Sequence, residues 1–357
     1  MSNRKNLLGT LLLAGLMALT GWLLLRDQPP AALLTALRRA DLRCLLPGLG
    51  LMLTFVGCEA MCSHLILGRL GHRVSWLRCL GYSFVGFYVS SITPSATGGQ
   101  PAQVYYMSRD GIPAAHGALN MLLIAVCYQI TVLFYALGAW VLLPGTRAAM
   151  GGGMGVLLVC GGAVMAALTA GMLAFLFLPG PARRLAEGVL SFLVRVRLIR
   201  DRAGAEKKLA RQMEEYAAGA AVLRRAPGLL PALLALSVLQ LTALFSVPYL
   251  VYRAFGLTGV GLPVFLGTQA LVTLAVSSLP LPGAVGPAEG GFVAAFGPLF
   301  GAQLATPAVL LSRGISFYSF LLVSGCAALC FHLWGRRRPG RGLLLHPGGK
   351  CGTMSPT

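Results

Sequence analysis

Residues Leu7 to Leu25 make 19 consecutive positions without a charged side chain, bracketed by Arg4-Lys5 and Arg26. As a helix the run is about 28 Å long at 1.5 Å per residue, the thickness of a bilayer core. It is longer than the apolar region of a signal peptide, and no small-residue cleavage site follows it. Similar runs recur along the chain. Only 11% of its 357 residues are charged, against about 25% in soluble domains. The chain cannot clothe a soluble surface of its size. Helices and closed barrels are the structures that satisfy their own backbone in lipid. Runs of this length and continuity predict helices.

Spans are predicted at 7–25, 45–67, 115–143, 153–178, 229–253 and 303–333, with an amphipathic interfacial helix over 30–43. Two further segments, 79–107 and 260–300, are apolar but broken by Pro and Gly. The expected fold is all-α, a polytopic membrane protein. It has six full spans plus two broken re-entrant helix hairpins in an inverted repeat, or eight apparent transmembrane segments. Residues 1–335 form one integral membrane domain. Residues 179–227 are a basic cytoplasmic segment between the repeats, read as surface helices. Residues 336–357 are expected to be a disordered basic tail.

Charge supports this topology. With both termini inside, the inner face receives Arg4, Lys5, Arg69, Arg73, Arg78, Arg109, 11 residues of 179–227 and five of the tail. The outer face receives Arg26, Arg38, Arg39, Arg43, Arg147 and Arg253. Basic residues favour the cytoplasmic face. The net charge of +19 therefore reads as orientation and contact with anionic lipid. No nucleic-acid motif accompanies it. Of nine cysteines, seven lie in apolar runs, and Cys58/Cys62 and Cys326/Cys330 are helical pairs. No CxxC and no Cys/His zinc spacing occurs. No metal or cofactor is expected.

The two broken segments resemble each other. One reads Val89-Ser90-Ser91-Ile92-Thr93-Pro94-Ser95-Ala96-Thr97-Gly98-Gly99. The other reads Val276-Ser277-Ser278-Leu279-Pro280-Leu281-Pro282-Gly283-Ala284-Val285-Gly286-Pro287. With one residue inserted, both follow V-S-S-[IL]…P-[SG]-A-[TV]-G. Their places in the span order make them enter from opposite faces, as in inverted-repeat transporters. Pro and Gly free backbone groups that must line a cavity or be buried in protein. New half-helices are predicted at Gly99–Pro101 and Pro287–Glu289. Their N-termini favour anions. A bland alternative is two kinked spans packed closely through glycine.

Few charges lie in apolar segments. They are Glu59, Glu289 and Arg313, and intramembrane charges usually face a cavity or a partner. Glu289 opens the second half-helix and Arg313 lies in the next span, so the two are expected to pair. Glu59 and Glu289 are candidates for proton coupling. Gln100 and Gln103 follow the first glycines at half-helix spacing and could bond a polar ligand. The candidate substrate site is therefore Ser90, Ser91, Pro94, Gly98, Gly99, Gln100, Gln103, Ser277, Ser278, Pro282, Gly283, Gly286, Glu289 and Arg313. Tyr105 and Tyr106 read as interface anchors, and Arg109-Asp110-Gly111 as a turn.

The run Thr93 to Ile112 (TPSATGGQPAQVYYMSRDGI) resembles the first signature of the lysylphosphatidylglycerol synthase transmembrane family. This is the flippase-like membrane module of the multiple peptide resistance factor. Leu279 to Phe292 (LPLPGAVGPAEGGF) resembles the second, with Arg313 at the family's arginine. The resemblance covers about residues 5–335. It implies a bacterial inner-membrane protein that handles anionic or aminoacylated phospholipid. In full-length relatives a soluble domain transfers lysine to phosphatidylglycerol. The roughly 20 residues after the last span leave no room for such a domain. A lysyltransferase label would therefore overstate this chain. Where many relatives carry an acid and an arginine after the first Gly-Gly, this chain has Gln100 and Gln103.

The expected function is a lipid flippase, with phospholipid and the membrane as partners. A separate soluble synthetase or a homo-oligomer would be a further partner. The sequence offers no nucleophile–base pair, Asp-rich metal motif or phosphate loop for a head-group transferase. A third reading docks a soluble partner on the basic segment through Arg195, Arg197, Arg200 and Arg202.

Overall fold

The computed structural model describes residues 41–93, 96–149, 153–177, 202–276, 286–301 and 303–336, with a few positions between 180 and 191. The predicted span 7–25, most of the interfacial helix 30–43, the first part of the basic segment and the tail lie outside these residues. The described chain is helical, and no strand occurs among the described residues. Five helical stretches are long and apolar enough to cross a membrane: Leu46–Arg69, Ala114–Leu142, Met154–Leu176, Leu229–Ala254 and Ala305–Leu333. They coincide with five of the six predicted spans. The protein is an all-α polytopic membrane protein.

Helix α1 (Leu42–Arg69) begins earlier than expected. Asp41 Oδ1 accepts the Arg43 N–H at 2.8 Å, which satisfies an orphan donor of the first turn. Asp41 thus caps the span, and Leu42 and Arg43 form its first turn. The Asp41 N–H donates to the Ala254 carbonyl at 3.0 Å. After α1 come α2 (Trp76–Ile92) and α3 (Gly99–Arg109), the arms of the first broken hairpin. Ser75 caps α2. Helix α4 (Ala114–Leu142) follows, then a short α5 (Pro144–Ala149) and α6 (Gly153–Phe177).

Within the basic segment, α7 (Arg202–Arg224) is one helix. Tyr216, Ala220 and Leu223 are buried on it, which anchors it to the first-half core. The predicted span 229–253 is divided into α8 (Leu229–Phe245) and α9 (Val247–Ala254). Pro248, in the first turn of α9, suits a helix start. The second hairpin is α10 (Leu262–Val276) and α11 (Pro287–Phe300). The last span is α12 (Ala305–Arg313), a π-helical turn (Gly314–Ser319) and α13 (Phe320–Arg336).

Helix α4 serves as a ruler, about 43 Å long by its 29 residues. Near its start His116 bonds His72, at the base of the first hairpin. There too Arg78 and Asp110 close the hairpin through Nε–Oδ2 and Nη2–Oδ1 bonds of 2.7 and 2.5 Å, and Tyr82 donates to Asp110. Gly111, with φ +86°, makes the predicted turn. Near the other end, Leu142 and Leu143 line a cavity with Val260 and Val264 of the second hairpin's base. The two hairpins therefore enter from opposite ends of α4. That is an inverted arrangement.

Two cores hold the halves. Phe245, Phe265, Phe292 and Phe296 lead the second, while Tyr82, Met107, Leu119 and Leu233 lead the first. Large apolar side chains remain exposed outside, including Leu137, Leu142, Leu168 and Leu322. A patch of that kind belongs against lipid. Cys58, Cys62, Cys79 and Cys127 are buried packing residues, whereas Cys160, Cys326 and Cys330 are exposed.

The His72–His116 contact, Nε2 to Nδ1 at 2.8 Å, needs at least one neutral ring. Burial, and then the neighbouring His116, lower the proton affinity of His72. The unfolded chain protonates at the ordinary value of about 6.5. Acid therefore favours the unfolded state, and this stability is present above that pH and lost below it. The melting temperature should fall between about pH 7 and pH 5, and His72→Gln should flatten that fall. An unchanged slope would remove His72 as its source.

Candidate functional site

The tip of the first hairpin is held by its own hydroxyls. Thr93 Oγ1 donates to the Val89 carbonyl at 2.8 Å and accepts the Gly98 N–H at 3.1 Å. Ser90 Oγ donates to the Ala96 carbonyl at 3.3 Å. Ala96 has a φ of +54°, costly for a residue with a Cβ. Strain of this kind persists where surrounding structure fixes it. Gly99 then opens α3, at the predicted position. It packs so closely on α2 that a Cβ there would stand 1.9 Å from Ser90 Oγ and 2.5 Å from the Gly86 carbonyl oxygen.

The second hairpin resumes at Pro287, also as predicted. Gly286 has φ +97°, open to glycine and strained for other residues. Its N–H donates to Glu289 Oε2 at 2.7 Å. The carboxylate thus closes the start of α11 upon itself, half of a capping box. Its other oxygen, Oε1, accepts from Arg313 Nε at 2.7 Å and from Tyr318 Oη at 3.4 Å. Glu289 is 1% exposed. The expected pair therefore forms, and it is buried. Arg313 also lies over the Phe317 ring, 4.4 Å from its centroid, a cation–π contact. The π-helical turn that follows Arg313 offsets the register of the last span by one residue.

These elements enclose a cavity of about 350 Å³. Ser90, Ser91 and Ala96 line it from the first tip, and Ala288 and Phe292 from the second. Gln269 and Thr273 of α10, Ser312, Arg313 and Ser316 of the last span, and Tyr128 complete its polar wall. Tyr128 is at the middle of α4. The cavity therefore lies at mid-depth, between the first hairpin tip and the start of α11.

The predicted site residues separate into groups. Ser90, Ser91 and Arg313 line the cavity. Gly98, Gly99, Gly286 and Glu289 build the tips behind it. Gln100 is exposed and Gln103 turns away to Glu59, its Nε2 donating to Oε1 at 2.8 Å. Neither glutamine lines the cavity, and Glu59 does not line it. Pro94, Ser277, Ser278, Pro282 and Gly283 lie outside the described residues. Tyr106 bonds His332 at 2.7 Å, so it joins two elements, and Tyr105 is the exposed one of the pair. The sequence reading missed Tyr128, Gln269, Thr273, Ser312 and Ser316. Gln269 had a signal, as a lone amide in an apolar helix. The serines had none.

Chemically, the wall offers one guanidinium, several hydroxyls and one amide. Arg presents a fork of donors suited to phosphate. Among the described residues no cluster of His, Cys, Asp or Glu could hold a metal ion. A comparison with curated proteins finds no match. The family model described as "Lysylphosphatidylglycerol synthase TM region" matches residues 6–324.

Proposed function

The chain belongs to the lysylphosphatidylglycerol synthase transmembrane family, and from that premise we propose that it moves an anionic or aminoacylated phospholipid between leaflets, with the head group in the mid-depth cavity. The position of the cavity supports this most directly. It lies between the first hairpin tip and the start of α11, on hairpins that enter from opposite ends of α4, with Arg313 on its wall. Inverted repeats of this kind expose one central site to either side by turn. At about 350 Å³ it is at the small end of ligand pockets, sized for a head group, with acyl chains left in the bilayer. Arg313 would take the phosphate, and the serine and threonine hydroxyls the head-group oxygens. Glu289 keeps the guanidinium aimed.

The same reading sets the orientation. The end of α4 that carries Arg78, Arg109 and the basic α7 would face the cytoplasm of a bacterial inner membrane, with both termini inside.

Reconstituted vesicles test this. Phosphatidylglycerol labelled on an acyl chain is bleached from outside by an impermeant reductant, and the protein should expose the inner-leaflet pool. Arg313→Ala should slow that exposure at least about tenfold, the equivalent of one charge-assisted hydrogen bond. Wild-type speed in Arg313→Ala would place the lipid path elsewhere.

A further inference from the structure

Glu59 is the second buried acid, and its surroundings differ from those of Glu289. It has no ion pair among the described residues. The Gln103 Nε2–H donates to its Oε1 at 2.8 Å, and the Ser83 hydroxyl lies beside the same carboxylate. Gly86 of α2 makes that bond possible: a Cβ there would stand 2.1 Å from Gln103 Nε2. Three polar side chains around the acid are almost wholly buried, Ser83 at 1%, Gln103 at 5% and Asn120 at 0% exposure. The two amides each leave their oxygen without a partner, Gln103 Oε1 and Asn120 Oδ1. Asn120 spends its Nδ2–H on Ser63 Oγ at 3.1 Å, one helical turn from Glu59.

Two buried amide oxygens beside the acid therefore lack a donor. Cys62 on the same helix and Tyr128 on α4 are the titratable groups within electrostatic reach. The facing positions of α2 and α3 are the neutral Ser83 and Gln103. No Lys, Arg or His acts on Glu59 from α4, α8 or α9 among the described residues. A buried carboxylate without a cation is expensive unless it takes up a positive charge. Orphaned oxygens are also expensive.

We propose that Glu59 is an exchangeable proton site, read by Gln103. A proton from hydronium adds to the carboxylate, giving a carboxyl and water, and no other bond changes. The carboxyl O–H then supplies the missing donor. The Gln103 amide suits both states, since Nε2–H donates to the carboxylate and Oε1 accepts from the carboxyl. Gln103 lies one helical turn after Gly99, so its bond acts on the hairpin tip. Tyr128 stands on the cavity wall and within reach of Glu59, so it links the two sites. That link rests on the head-group reading of the cavity; the proton site does not.

Infrared difference spectroscopy on the full-length protein in phosphatidylcholine vesicles tests this. One carboxylic C=O band should titrate reversibly between about pH 5 and pH 9 and be lost in Glu59→Gln. Glu59→Asp should move the band's frequency if the glutamine variant misfolds. Gly86→Ala, which pushes Gln103 aside, should move the titration midpoint by about one pH unit, a tenfold change in proton affinity. A band that survives Glu59→Gln overturns the proposal. So does a band displaced by sodium at fixed pH, which would make this a metal-cation site. A midpoint unmoved in Gly86→Ala removes Gln103 as the reader. If short-chain phosphatidylglycerol leaves the band unshifted while the titration persists, the head-group reading fails and the proton site stands.

Discussion

Glu289→Gln should destabilise the purified protein by about 3–5 kcal/mol, and Arg313→Gln by a similar amount, because each breaks a buried ion pair by removing one of its charges. The geometry sets this scale. Glu289 is 1% exposed and the Arg313 side chain 16%, with Nε and Oε1 2.7 Å apart. A solvent-exposed pair would give about 1 kcal/mol or less. The double variant Glu289→Gln, Arg313→Gln removes both charges, so it should recover much of either loss. The coupling energy of that cycle, read from denaturant unfolding in detergent, is the decisive quantity. A value below about 1 kcal/mol would mean that water reaches the pair. Glu289→Ala should cost more than Glu289→Gln. It also removes the acceptor of the Gly286 N–H, and a lost cap is worth about 0.5–2 kcal/mol. The pair thus has two tasks in one carboxylate. One oxygen starts α11 and the other aims the guanidinium.

Much of this was legible because lipid imposes length and continuity on a span. Long, mostly apolar runs located α1, α4, α6, the α8–α9 pair and the last span within a few residues. The breaks were legible for a related reason. Proline and glycine cannot be hidden in a hydrocarbon core without purpose, and Gly99 and Pro287 open half-helices where the motifs placed them. The pairing of Glu289 with Arg313 followed from the cost of burying either alone. Facing directions were not legible. A helix apolar on every side carries no stripe to show which face meets protein. Gln100 and Gln103 looked equivalent by spacing, yet one is exposed and the other turns to Glu59. Ser312 and Ser316 line the cavity, but a serine in an apolar helix reads the same when it bonds its own backbone, as Ser316 does to the Ser312 carbonyl. Tyr128 gained its meaning from depth alone, which needs both ends of α4 to be placed.

Gly99→Ala should disable the first hairpin tip while leaving the protein inserted. The added Cβ would lie 1.9 Å from Ser90 Oγ and 2.5 Å from the Gly86 carbonyl oxygen. A hydroxyl can rotate away. A backbone carbonyl inside α2 cannot move without carrying its helix, so α3 must shift outward. Overpacking of this kind costs about 1–3 kcal/mol, and the displaced tip alters the cavity wall formed by Ser90 and Ala96. Lipid exposure in vesicles should fall at least tenfold, the same scale as removing one charge-assisted contact. Gly290→Ala supplies the contrast, since a Cβ there meets nothing within 4 Å. It lies inside α11, where alanine is favoured over glycine by up to about 1 kcal/mol, so it should be neutral or stabilising. Adding Ser90→Ala to Gly99→Ala separates the two contacts. Removing the hydroxyl relieves only the side-chain clash, so the Gly86 carbonyl should keep the double variant slow. Full recovery would mean that the hydroxyl alone set the spacing, and that α2 and α3 can part at the tip without cost to transport.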